Sequence, residues 1–294
     1  MGKRKIFFTI SGVLVALSIV VLLTKGLTFG IEFQGGTKMV LVGKEGVSVE
    51  DVRDALGVAE VPDHTNATIQ STNQGTFIVR TAESDTANAQ IAFDTVVEEL
   101  GLPEQNPNIT TIGPSWGENV TRAALIALIV SMAAILLYIS VRFEYKMSVT
   151  AVVAVLHDAI ITLGIYSLSG RELTPNTIAA LLTILGYSLY DTIVVFHRIR
   201  ENTPRLSKQS FMSMANDSLN QVLMRWVNTS LSSLIPASVL LFFGGETLKD
   251  FAFALLIGLM SGAYSSVAVA SPLYAVWKET EPRYQALKKK YAKA

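Results

Sequence analysis

The sequence predicts an α-helical polytopic membrane protein, with six transmembrane helices and a small α+β ferredoxin-like extracytoplasmic domain between helices 1 and 2. Three observations predict it. Half of the 294 residues are hydrophobic and only 16% are charged, against about a quarter in soluble domains. Six apolar stretches approach the ~20 residues needed to cross a hydrocarbon core. A single long polar stretch, from about Lys25 to Thr121, separates the first of them from the rest.

The apolar stretches are Ile6–Leu23, Leu125–Val141, Val149–Leu168, Asn176–Phe196, Trp226–Phe243 and Phe251–Trp277. The first follows Lys3-Arg4-Lys5. Its apolar run is long and no small-x-small site follows, so it reads as an uncleaved anchor rather than a signal peptide. Lys and Arg set the orientation. With the N-terminus inside, Arg142, Lys146, Arg198, Arg200, Arg205, Lys208 and Arg225 lie on the cytoplasmic side, as does the Lys-rich tail. The short outer loops then hold only Arg171 and Lys249. Both termini are expected in the cytoplasm. The chain divides into 1–24 (N-terminus and first span), 25–121 (extracytoplasmic domain with its arms), 122–277 (spans two to six, with a cytoplasmic loop at 198–224) and the basic tail 278–294.

Inside the polar stretch, "TKMVLVG" (37–43) reads as a strand and "SVEDVRDALG" (48–57) as a helix. Ser48 and Asp51 have capping-box spacing. "ATIQS" and "TFIVRT" alternate like two strands across a turn at Asn73–Gly75. Residues 85–100 have helical periodicity beginning at Asp85 and stopping at Gly101, and "NITTIG" closes with a strand. The order β-α-β-β-α-β is that of a ferredoxin-like sheet covered by two helices. Arms at Phe29–Gly36 and Gly113–Gly117 join it to the first two spans. Gly35, Gly36 and Gly113 are the candidate hinge positions there. The stretch Ser210–Val222 is amphipathic and reads as an interfacial helix.

Ionisable groups inside spans are costly, at about 2.5–3.5 kcal/mol each, and mark function. His157 and Asp158 sit mid-way along the third span, and Asp191 lies in the fourth. Arg225 opens the fifth, with Thr229, Ser232 and Pro236 following along one helical face. Asp191 and Arg225 are expected to meet near the inner boundary, with Asp158 at another depth in the same bundle. Titrating carboxylates so stacked suit a proton relay. Blander readings stay open. Asp191–Arg225 could be a structural ion pair, His157 a hydrogen-bonded neighbour of Asp158, and the Ser/Thr stripe packing glue. Gly258-x-x-x-Gly262 is a close-packing motif.

Several chemistries lack their residues. The chain has no Cys, which excludes thiol chemistry, disulfides and Cys-based zinc sites. There is no phosphate-binding glycine loop and no His/Asp/Glu cluster with metal spacing. Net charge is zero and no basic tract is interleaved with aromatics, so nucleic acid is not an expected partner. No enzyme activity, cofactor or metal is expected.

The chain resembles the SecF family of protein-export membrane subunits. The resemblance rests on "FGIEFQGGT" (29–37), "IGPSWG" (112–117), "LHDAIITLGIYSLSGRELTPNTIAALLTILGYSLYDTIVVFHRIREN" (156–202) and "SLNQVLMRWVNTS" (218–230). It covers the external domain and all six spans. It implies half of a resistance–nodulation–division bundle in the cytoplasmic membrane, completed by a SecD-like subunit. It further implies work beside the Sec translocon channel, where the proton-motive force would help draw a translocating polypeptide across at a late stage. Asp191 matches the family's membrane carboxylate and Arg225 its functional arginine. Tyr190 stands where the family commonly has Asn, and His197 where it has Asp, so the role of that acid is in doubt here. Glu32 for Asp in the arm is a milder change. Two other readings compete: a small-molecule or lipid exporter of the same superfamily, and a passive scaffold of the translocase.

Overall fold

The computed structural model describes residues 1–44, 46–71, 75–103 and 106–291. The turn expected at Asn73–Gly75 begins outside them. The chain forms two compact units, Phe29–Ile126 and a second made of Met1–Thr28 with Ala127–Ala294.

In the smaller unit, a short helix α2 (Ile31–Gln34) leads into β2 (Gly36–Val42), α3 (Val49–Val58), β3 (Thr68–Ser71), β4 (Thr76–Thr81), α4 (Thr86–Glu99) and β5 (Asn108–Ile112). The two-residue strand β1 (Thr28–Phe29) precedes them. The sheet order is β3-β4-β2-β5, with antiparallel neighbours throughout. This is the ferredoxin-like arrangement. Local chemistry starts the helices. Ser48 accepts from Asp51 N–H while Asp51 Oδ2 accepts from Ser48 N–H at 2.7 Å. Asp85 accepts from Ala87 and Asn88. Each satisfies donors that a helix start leaves unpaired. Met39, Leu41, Phe77 and Val79 from the sheet meet Val52, Leu56, Phe93 and Val96 from the helices in one core. Period-two and period-3.6 apolar residues thus face each other.

The six spans are α1 (Arg4–Thr24), α5 (Pro114–Arg142), α6 (Tyr145–Ser169), α7 (Pro175–Asn202), α8 (Phe211–Phe243) and a sixth span that begins with α9 (Glu246–Ser265). A two-residue strand, β6 (Glu172–Leu173), lies between α6 and α7. Gly170 ends α6 in the left-handed region at φ 68°, where glycine lacks the usual Cβ penalty. Thr174 then caps α7, with Pro175 at its first turn, where a missing N–H costs nothing. The apolar windows of α6, α7 and the sixth span are about half buried (56, 44 and 56%), while those of α1, α5 and α8 are 11% or less. Polar groups that need partners therefore gather among α6, α7 and the sixth span.

One sequence expectation is corrected here and another gains detail. The sixth span forms as expected, with a change of helix type inside it. After α9 comes a π-helical turn, Ser266–Ala270, and then α10 (Ser271–Lys278). Pro272 lacks an N–H for the i→i−4 ladder, and Ser271 Oγ instead donates to Ser266 O at 2.6 Å. Ser210–Val222 is not a separate interfacial helix within a loop at 198–224. Ser210 caps α8, which runs unbroken from Phe211 to Phe243, and only a 3-10 turn at Thr203–Arg205 and residues 206–210 separate it from α7. The amphipathic face is buried by protein instead: Phe211 packs on Tyr274 and on Tyr284 of α11 (Pro282–Tyr291).

Candidate functional site

Asp158 on α6 is fully buried. A carboxylate there must have donors, and the fold supplies them. Ser188 Oγ on α7 donates to Oδ2 at 2.6 Å, Ser265 Oγ on α9 to Oδ2 at 2.6 Å, and Ser261 Oγ to Oδ1 at 2.7 Å. Nδ1 of His157 lies 3.0 Å from Oδ1. Ser261 and Ser265 reach one carboxylate because residues four apart share a helix face. Gly258 and Gly262 make the approach possible. A Cβ at Gly258 would stand 2.2 Å from Ile184 Cδ1, and one at Gly262 would stand 3.0 Å from Ser188 Cβ. The G-x-x-x-G motif therefore packs α9 against α7 closely enough for three hydroxyls to converge.

His157 is the hydrogen-bonded neighbour of Asp158. Its ring stacks on Tyr264 at 6.2 Å, and its Nε2 is buried with no hydrogen-bond partner among the described residues.

Asp191, on α7, lines a narrow cleft with Ser188, Thr229, Ser230, Ser233 and Gly262. The cleft leaves ≈ 10 Å³, on the order of one water. Ser230 Oγ is buried there with no hydrogen-bond partner among the described residues. Ser188 is the link between the two carboxylates, because it lines the cleft that holds Asp191 and also donates to Asp158.

Asp191 and Arg225 lie near enough to interact through charge, but the direct ion pair left open between them does not form. Arg225 Nη2 donates to the phenol oxygen of Tyr190 at 2.6 Å, with the guanidinium carbon 5.9 Å from the centre of that ring. Successive helical residues point about 100° apart, so Tyr190 meets Arg225 while Asp191 turns into the cleft. Thr229 donates to Arg225 O at 2.8 Å along its own helix and also lines the cleft. His197 is exposed near the end of α7, and Glu201 follows it one turn along the same helix.

Gly35 and Gly36 are held by close approach within their own unit. Their φ angles are 77° and 109°, and a Cβ would stand 3.0 Å from Pro114 Cα and 2.3 Å from Thr81 O respectively. Gly36 also pairs with Ile112 in the sheet. That packing is close enough to require glycine at both positions. Gly113 has open space around it.

Ser188, Ser261 and Ser265 are the site residues that sequence reasoning missed. Their signal was faint: hydroxyls at i and i+4 flanking Gly262, and one three residues before Asp191. Among the described residues no group of three or more acidic, His or Cys side chains is placed to hold a metal.

Residues 92–280 match the family model for the C-terminal part of the protein export membrane protein SecD/SecF, and residues 20–43 match the SecD/SecF GG motif. The protein translocase subunit SecF of Streptomyces coelicolor is 38% identical over 98% of this chain and 79% of its own length. The protein translocase subunit SecDF of Thermus thermophilus is 38% identical over 98% of this chain, which spans 40% of that longer protein. The crystal structure of that SecDF matches 95% of this chain with a TM-score of 0.86, over 38% of its own length. A structure of SecDF in a super-membrane-facing form matches all of this chain at 36% identity with a TM-score of 0.68, over 40% of its own length.

Proposed function

The chain belongs to the SecD/SecF family of protein-export membrane proteins, and from that premise we propose that it is a proton-motive-force-coupled subunit of a Sec translocase that promotes late-stage translocation. In this reading it is not an enzyme and carries no cofactor. Its termini face the cytoplasm and residues 25–121 lie across the membrane. A SecD-like subunit completes the bundle beside the translocon channel, and the polypeptide in transit is its load. The fused SecDF relative, in which this chain's counterpart is 40% of the length, supports that partner. So does the bareness of α5 and α8, whose apolar windows are only 6% buried.

One observation carries the coupling role. Ser188 donates to the buried Asp158 and lines the cleft of Asp191, so one residue borders both carboxylates in the membrane. A proton entering the cleft neutralises Asp191 and changes its attraction for the Arg225 guanidinium, which Tyr190 holds nearby. A proton falling through 100 mV supplies about 2.3 kcal/mol, enough to bias a two-state change about fiftyfold. Movement of the Phe29–Ile126 unit would be that change, and Gly113, unobstructed, supports an arm able to bend.

Asp191→Asn tests the reading, since it fixes a neutral side chain at nearly equal volume. Translocation into inverted membrane vesicles, with and without a proton gradient, should lose its gradient-dependent part while the complex still assembles. Retained stimulation would favour the passive scaffold. For Asp158 a second reading has its own support: three serines from two helices converge on it, which is also how a purely structural tie would look.

A further inference from the structure

Where α1 begins and α10 ends, a cavity of ≈ 320 Å³ is lined by Arg4, Val276, Glu279, Thr280, Lys288 and Lys289. That volume falls at the lower end of ligand-sized cavities, about 300–1,000 Å³. We propose that it binds the phosphodiester headgroup of an anionic phospholipid. The inference does not depend on the export role.

Charge is the first argument. Glu279 is buried, and Lys288 Nζ donates to its Oε2 at 2.7 Å. Arg4 and Lys289 have no acidic partner among the described residues, so the cavity keeps two positive charges. A guanidinium is the cation best shaped for a phosphate, which it grips through paired N–H donors.

Depth is the second. Arg4 is the first residue of one apolar span and Lys278 the last of another, so the cavity lies at headgroup level, where basic pockets between spans meet lipid phosphate.

The third argument selects a lipid over a free anion. Val276 (36% exposed) lines the cavity with the basic residues, and the span that Arg4 opens carries exposed Ile6 (57%) and Ile10 (43%), apolar surface at the depth of acyl chains that inorganic phosphate would not cover.

Trp277, next to Val276 in α10, is a native reporter. With Trp116→Phe and Trp226→Phe as background, the full chain is placed in phosphatidylcholine vesicles containing a minor fraction of a brominated lipid. Brominated phosphatidylglycerol should quench Trp277 more strongly than brominated phosphatidylcholine, corresponding to local enrichment on the order of tenfold. Arg4→Gln with Lys289→Gln should remove the preference, and Lys290→Gln should keep it. Equal quenching by the two lipids would overturn the proposal, as would a preference that survives the double substitution. Loss of the preference on adding inorganic phosphate would also overturn it, by assigning the site to a free anion. Should the double variant fail to insert, Lys289→Gln alone, at an exposed position, should at least halve the enrichment, and an unchanged value would be equally fatal.

Discussion

Arg225 donates to the phenol oxygen of Tyr190 at 2.6 Å and forms no ion pair with Asp191, the next residue along the chain. The guanidinium is thus held by a neutral group beside the carboxylate it would otherwise bind. Tyr190 is one of the positions at which this chain departs from the pattern it resembles, and it has taken the arginine.

Tyr190→Phe should therefore free Arg225 to swing toward Asp191. In gradient-driven translocation the expected effect is a several-fold loss, with assembly unchanged. Stability should fall by no more than about 1 kcal/mol, because the pair is exposed and a single hydrogen bond contributes roughly that much. Full activity in the Phe variant would remove Tyr190 from the coupling machinery.

Asp158 should be less tolerant than the serines around it. Ser188→Ala leaves the carboxylate with Ser261 and Ser265 as donors and should cost about 1–2 kcal/mol. Asp158→Asn puts a donating amide where three hydroxyls donate, and should lower the thermal unfolding midpoint in detergent further than Ser188→Ala. The reverse ranking would mean that the cluster does not need its negative charge.

Close packing can be ranked along two helices. Gly258→Ala drives a Cβ to 2.2 Å from Ile184 Cδ1 and should cost about 1–3 kcal/mol through overpacking. Gly262→Ala should cost less, because its nearest neighbour would be Ser188 Cβ at 3.0 Å. Gly186 has nothing within 4 Å, so Gly186→Ala should be neutral or stabilise by up to about 1 kcal/mol through helix propensity. Unfolding midpoints of the three variants, compared under one condition, check the order.

The capping box of α3 should make local stability depend on pH. The backbone N–H of Ser48, and then its hydroxyl, donate to Asp51 and hold its carboxyl below the ordinary carboxylate value. A depressed carboxyl adds stability that is fully present above its unfolded-state pKa, near ~4, and is lost as pH falls through the folded-state value. Protection factors of α3 amides against hydrogen exchange should fall with acid through that window. Ser48→Ala should cost about 1 kcal/mol at neutral pH and flatten the acid dependence.

Ser84 and Ser207 are both exposed, and the chain has no Cys. Single cysteines at the two positions should react with an impermeant thiol reagent from opposite sides of the membrane, Ser207→Cys from the cytoplasm. Labelling from one side would refute the proposed orientation.

The sequence by itself determined the elements whose causes are local. Span number follows from apolar length, since only about twenty apolar residues in a row cross a bilayer. The β-α-β-β-α-β order follows from periodicity and from the caps at Ser48 and Asp85, each a matter of three or four residues. The cost of burying charge likewise pointed to Asp158 and Asp191 before any helix was placed. What only the tertiary structure decided was pairing. Which side chain meets Arg225 depends on the rotation of α7 against α8, and a turn of about 100° per residue separates Tyr190 from Asp191. Whether Asp158 is stranded or satisfied depends on how closely α9 approaches α7, which two glycines permit and three serines exploit. The amphipathic start of α8 shows the same division: an apolar stripe announces that it will be covered, but whether lipid or Tyr274 and Tyr284 cover it depends on helices far along the chain.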